Sequence, residues 1–301
     1  MTISFFIILC GKSCPLKSVC LKIKIIKPMP IISIAIQKGG SGKTTTTINL
    51  AAALQRSGKK VLLIDADPQA NLSQALGIED EPEFNLYTEL KKEMLGETSD
   101  ITRAILEISP GFSVIPASIE LAGAEIELVG VYSREHILSA LIEPIVADYD
   151  FIFIDCPHAI GMLTINALVA SDHVLMPLQG EFLPLKGVHS FMRHYDIVRK
   201  KLNKKLSLLG FVLIKYDERK LMNTRVRESL EKTFENKVFK SVIRTNIQLA
   251  KAQEAGTDIF HFDKYSNGAT DYRNMAEEFL ARLESDDAVA ENVQVLEATV
   301  S

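Results

Sequence analysis

From residue 31 onward, short apolar runs alternate with longer stretches in which apolar residues return every three or four positions. The runs fall at 31–36, 60–65, 112–116, 151–155, 173–177 and 206–214, and several are apolar throughout. Strands of that kind are buried on both faces, as in a parallel sheet covered by helices. Between them the period of 3.6 predicts helices over 43–57, 118–130, 133–147, 163–170, 185–202 and 219–235, and a last one over 271–283. Strands alternating with helices are the mark of βαβ units, so the expected fold class is α/β, a mostly parallel central sheet with helices on both faces. No internal repeat and no Pro, Gly or Ser linker divides residues 29–283, which read as one domain. Residues 284–301 are acidic and weakly periodic, and are expected to form a mobile C-terminal tail.

With 301 residues, 47% of them hydrophobic and 24% charged, the chain can bury a sizeable core. Its formal net charge of -4 supplies no global positive field, so any nucleic-acid contact must come from a local basic patch. Three of the four cysteines, Cys10, Cys14 and Cys20, precede residue 28 in a spacing that fits neither a zinc site nor a disulfide framework. A reducing cytoplasm is the expected compartment. The apolar run 5–9 is too short to span a bilayer, and a basic stretch follows it instead of preceding it as in a secretory signal. Residues 1–28 therefore read as an extension or as sequence upstream of a start at Met29, and no membrane segment is expected.

Chemistry gathers at the ends of three runs. Directly after the first comes Gln37-Lys38-Gly39-Gly40-Ser41-Gly42-Lys43-Thr44, opening into a helix that continues with Thr45. The glycines let backbone N–H groups turn inward and the helix N-terminus adds a positive dipole, so the loop can cradle phosphates. Lys43 is placed to neutralise the β- and γ-phosphates of ATP, and the Thr44 hydroxyl to ligate Mg2+. The second run ends in Asp65-Ala66-Asp67-Pro68, at the carboxyl edge where open α/β sheets bind ligands. Asp before Pro is also an ordinary turn signal. The fourth run ends in Asp155, the Walker B position for a magnesium carboxylate. His158, three residues on, reads as a loop histidine.

The stretch Lys38 to Thr44 resembles the deviant Walker A motif, Lys-Gly-Gly-x-Gly-Lys-Thr, of the ParA/MinD group of P-loop ATPases, and the resemblance runs from about Pro30 to Leu283. It implies a P-loop NTPase fold and Mg2+-dependent hydrolysis of ATP. It also implies that Lys38 reaches across a homodimer to the phosphates of the facing subunit, and that Asp67 orients the water attacking the γ-phosphate close to the metal. Lys38, Lys43 and Asp67 are thus the catalytic candidates. The segments 242–252 and 263–269 look like the family's Ile-Pro-Arg-Asn and Asp-x-x-Ser-x-Gly-Ala stretches, with Arg244 where proline and Thr245 where arginine is usual. The adenine end is expected there and at Lys215 and Tyr216. Pro157-His158-Ala159 departs from the family's Pro-Pro-Ser.

Within that group Gln37 is typical of the ParA branch. The acidic C-terminus does not match the basic amphipathic anchor of MinD. Cys156 alone cannot supply the two cluster cysteines of the nitrogenase reductase branch. The resemblance therefore implies plasmid or chromosome partition by a cytoplasmic, nucleoid-associated protein. ATP would drive a homodimer onto non-specific DNA, and hydrolysis, stimulated by a ParB-like centromere-binding adaptor, would reset it. Arg193, Arg199, Lys200, Lys204, Arg225 and Arg244 are the candidates for sequence-independent phosphate contacts. Those near residue 200 equally suit an ordinary solvated helix end. The 28 leading residues are too few for the helix-turn-helix of long ParA forms. An alternative is a positioning ATPase for a protein cargo, and a third is a phosphate-transferring metabolic enzyme, against which the Lys38 signature argues.

Overall fold

The computed structural model describes residues 29–78, 80–180 and 184–300, so the extension read at 1–28 lies outside the described residues. The apolar runs become β1 (Ile31–Ile34), β2 (Val61–Asp65), β4 (Phe112–Ile115), β5 (Phe151–Asp155), β6 (His173–Gln179) and β7 (Ser207–Tyr216), joined by β3 (Leu106–Ser109) and β8 (Val238–Arg244). Their order across the sheet is β3-β4-β2-β5-β1-β6-β7-β8, and only the edge strand β3 runs antiparallel. The expected mostly parallel α/β sheet is what forms.

Because side chains alternate along a strand, each central strand feeds two cores. In β5, Ile152 and Ile154 enter one core and Phe151 and Phe153 the other. Helices α1 (Lys43–Arg56) and α2 (Asn71–Ala75) cover the phenylalanine side. The isoleucine side is covered by α3 (Leu86–Leu95), α4 (Leu121–Glu127), α5 (Ile137–Ile142), α6 (Met162–Ala170), α7 (Pro184–Lys201) and α8 (Leu221–Phe234). The chain then returns to the first side with α9 (Ile247–Glu254), α10 (Ile259–Asp263) and α11 (Asn267–Val300). Among the described residues no helix is long and apolar enough to cross a membrane.

The structure adds elements that the sequence reading did not assign, the strands β3 and β8 and the helices α2, α3, α9 and α10, and it lengthens the last helix. β3 and β8 lie at the two edges of the sheet, where one flank is unpaired and polar residues such as Glu107, Lys240 and Ser241 interrupt the apolar run. Glu278 of α11 accepts the N–H groups of Lys240 and Ser241 at 2.8 and 2.7 Å. α11 continues to Val300 instead of ending near 283 as an irregular tail. The segment 284–300 holds neither Gly nor Pro and is rich in Ala and Glu, so nothing in it stops a helix already started.

α11 is fastened to the middle of the sheet by aromatic packing. The ring of Phe279 lies 5.7 Å, centre to centre, from those of both Phe151 and Phe153. Phe153 and Phe279 are completely buried. Phe279→Ala is expected to lower the unfolding free energy by about 3–5 kcal/mol, the cost of an emptied aromatic site, in urea denaturation. A change within about 0.5 kcal/mol would show that α11 contributes nothing to that core.

Candidate active site

The loop after β1 turns into α1 through Gly40 and Gly42, at φ 67° and 75°, a left-handed conformation that a Cβ resists. A Cβ on Gly42 would also stand 2.3 Å from Ile214 Cδ1. Gly42 is the N-cap of α1, which has no side-chain cap and no acidic residue in its first turn. Its leading N–H groups are thus left to an external acceptor. Ser41 Oγ is buried without a hydrogen-bond partner, a costly state that a bound acceptor would relieve. Lys43 is buried as well, with Nζ 3.5 Å from the Lys38 carbonyl oxygen.

Parallel pairing of β2 with β5 sets Asp65 directly opposite Asp155. Asp155 accepts from Thr44 Oγ1 at 2.6 Å and from Thr47 Oγ1 at 3.4 Å. Burial, assisted by the charge of Asp65, pushes its carboxyl up to about 8. Asp65 is pushed up to about 6, again chiefly by burial. It accepts the Ser73 N–H and hydroxyl at 2.9 and 2.7 Å and the Asp67 N–H at 3.2 Å, so it anchors the turn that presents Asp67. Asp67 Oδ1 accepts the Gln69 N–H at 3.0 Å, and the residue lines the cavity beyond.

That cavity has a volume of about 910 Å3, within the range of small-molecule sites. Gly39 to Thr45, Asp67 and His158 line it together with Ile214, Lys215, Ile243 to Asn246, Leu249, Gln253 and Tyr272. Most residues singled out from the sequence therefore converge here. Asp155 is not itself in the lining and meets the loop through Thr44, and Lys38 likewise stands beside the lining. Lys215 adopts φ 48°, which reverses the strand's alternation and turns its neighbour Tyr216 into the isoleucine-side core, away from the cavity. Arg244 also lies in the cavity wall, where its guanidinium grips Asp271 at 2.6 and 3.1 Å, instead of joining the other basic residues. Arg193, Arg199, Lys200 and Lys204 are exposed along α7 and just after it, and Arg225 is exposed on α8.

The sequence reading missed the polar groups that brace the site from afar. Thr45 Oγ1 donates to Gln253 Oε1 at 3.2 Å, and the Gln179 amide donates to the Gly40 carbonyl oxygen. Tyr272 is buried with its hydroxyl 3.4 Å from Thr46 Oγ1. None belongs to a local motif; only Gln253 and Tyr272 border the two C-terminal segments that were singled out.

The donor set suits Mg2+. One carboxylate, Asp155, and one hydroxyl, Thr44, at a phosphate-binding loop leave most of an octahedral shell to phosphate oxygens and water, which is the arrangement Mg2+ favours. Without a cation, Asp155 makes stability depend on pH. Its folded value near 8 exceeds the ordinary 3.8, so between these the folded chain holds a proton that the unfolded chain has lost. Stability therefore falls as pH rises through that window, and the loss is complete above about pH 8. Asp155→Asn is expected to flatten this slope in urea titrations run without divalent cations between about pH 5 and about pH 8. An unchanged slope would show that Asp155 is ionised throughout.

A family model described as an AAA domain matches residues 29–208. Over 253 residues the chain is 43% identical to the sporulation initiation inhibitor protein Soj of Bacillus subtilis, spanning 83% of this chain and 98% of that protein. Over 257 residues it is 39% identical to the chromosome partitioning protein ParA of Caulobacter vibrioides, spanning 85% and 95%. Among solved structures, cobyrinic acid a,c-diamide synthase of Mycobacterium smegmatis with a bound ATP analogue and magnesium superposes with a TM-score of 0.74 at 32% identity, covering 86% of this chain and 97% of that one. The family model takes in the phosphate loop and the strands β1 to β6, and the chain belongs to the AAA-domain family shared with Soj and the ParA chromosome partitioning protein.

Proposed function

We propose that this chain is a partition ATPase in which ATP drives dimerisation and non-specific DNA binding, and hydrolysis reverses both. The observation that carries the reading is the cradle itself: an uncapped helix, an unpartnered buried hydroxyl and a buried lysine at one cavity. The triphosphate accepts hydrogen bonds from the leading N–H groups of α1 and from Ser41, while Lys43 neutralises its charge. Thr44 and Asp155 would hold Mg2+, which would withdraw charge from the phosphate oxygens. Asp67 has one carboxylate oxygen engaged by Gln69, leaving Oδ2 to orient a water on the γ-phosphate. Lys38 accepts from Lys43 with its backbone carbonyl oxygen, and its side chain is assigned to the phosphates of the facing subunit.

The partition role is supported by relatives named for chromosome partitioning at 39% and 40% identity, against 32% for the structural neighbour named as a metabolic enzyme. The exposed basic residues of α7 and α8 supply phosphate contacts that ignore sequence and weaken with salt. A ParB-like adaptor and association with the nucleoid complete the cycle. Positioning of a protein cargo would use the same switch with a different partner.

Binding of a non-specific duplex with ATP, ADP or no nucleotide, at two salt concentrations, tests this. Wild type is expected to bind only with ATP, and Lys38→Ala to lose that binding. Arg199→Ala with Lys200→Ala should reduce the slope of log K against log salt by about 0.9 for each phosphate contact removed. Absence of DNA binding with every nucleotide would shift the function to cargo positioning. Asp67→Ala should retain ATP and DNA while hydrolysis, followed as phosphate release, drops about 100-fold or more. Turnover close to wild type would remove Asp67 from the chemistry.

A further inference from the structure

The phosphate loop and the helix carrying Arg225 are joined by a chain of buried and half-buried hydrogen bonds that the hydrolysis chemistry does not use. At the end of β6 the Gln179 side chain donates to the Gly40 carbonyl oxygen. The carbonyl of the next residue, Gly180, accepts from Asn223 Nδ2 at 2.6 Å, and Asn223 Oδ1 accepts the Asp217 N–H at 2.7 Å. Gln179 and Asn223 are 8% and 6% exposed, so each would be costly to leave without these partners. There is no slack in the contact, because a Cβ on Gly180 would lie 2.6 Å from Asn223 Cγ.

The placement is specific. β6 and β7 pair with Gln179 opposite Ile214, so Asn223 spans the carboxyl ends of both strands. One end braces the phosphate loop, and the other leads through left-handed Lys215, in the cavity wall, to Asp217. Asn223 sits in the first turn of α8, where an asparagine could serve helix capping. Instead α8 starts from Lys220 without a side-chain cap, and both ends of the Asn223 amide are committed to the two strand ends. Arg225 is exposed two residues further on.

We infer that Asn223 is a positioning residue that carries the state of the phosphate loop, through Gln179 and Gly180, to α8 and the DNA contact made by Arg225. This rests on the partition reading. Displacement of Gly40 as the triphosphate seats itself reaches α8 because close-packed, fully paired groups leave no void to absorb it. Coupling of this kind is reciprocal, so DNA raises affinity for the nucleotide by the same factor as the nucleotide raises affinity for DNA.

The test measures that factor from both sides, using a non-hydrolysable ATP analogue and a non-specific duplex with the full chain. Asn223→Ala should cut the factor about tenfold or bring it to one, while affinity for the analogue without DNA stays within about threefold of wild type. Asn223→Asp keeps the size and the acceptor for Asp217 but loses the donor to Gly180, and should uncouple in the same way. A coupling factor equal to wild type in both variants overturns the inference. So does loss of DNA-free nucleotide binding in both, which would make Asn223 a purely structural residue. A wild type with no coupling at all overturns the partition reading on which the inference stands.

Discussion

A helix whose first N–H groups have no partner within the chain must find one outside it, and the start of α1 is built around that requirement. Left-handed Gly42 occupies the N-cap, where Ser, Thr, Asn or Asp would have closed the helix on itself. Ser41 Oγ is buried beside it without a partner, and buried Lys43 adds positive charge at the same loop, so donors and charge gather where an anion can take them up. A triphosphate offsets all three costs together. The position of β1 between β5 and β6 puts this helix start at the centre of the sheet's carboxyl edge, within reach of every other element of the site.

The two buried aspartates divide the work on that edge according to their partners. Asp65 is held by Ser73 and by the Asp67 N–H, hydrogen bonds that fix a turn and leave it little capacity for a ligand. Among the described residues the Asp155 carboxylate accepts from the hydroxyls of Thr44 and Thr47, which a metal ion can share or displace. Placing the two opposite one another raises the cost of ionising Asp155, and a divalent cation repays that cost most fully when phosphates bring it. Nucleotide and metal therefore stabilise the same edge from opposite signs of charge.

The parts of this molecule that a sequence displays are those determined locally. Runs buried on both faces, such as 151–155, announce strands by composition alone, and the spacing from Lys38 to Thr44 announces the cradle because loop and helix start are contiguous. β3 and β8 escaped because edge strands tolerate polar residues, and the end of α11 escaped because helix formers without a stop signal resemble an acidic tail. The far wall of the cavity was legible in part: Lys215 and residues 243–249 fall in stretches singled out for the nucleotide, whereas Gln253 and Tyr272 gain their roles only when α9 and α11 pack against α1. Arg244 and Tyr216 show how one contact redirects a residue. Asp271 holds the arginine in the cavity wall, and the left-handed backbone of Lys215 sends the tyrosine into the core.

Charge alone cannot make the basic surface sense the nucleotide. α7 runs from Pro184 to Lys201, so about 22–24 Å separates its start, at the phosphate edge, from Arg199 and Lys200 near its end. Screening at physiological salt removes most interaction beyond about 8 Å, and the chain as a whole is negative. Two routes remain by which the nucleotide can control DNA. One is packed structure, the route inferred above from the loop through Asn223 to α8. The other is assembly, because a dimer doubles the phosphate contacts and each contact adds its own increment to log K. Under the proposed function, a patch too weak to hold DNA in one subunit would hold it in two, and the net charge of -4 would favour release when the subunits part.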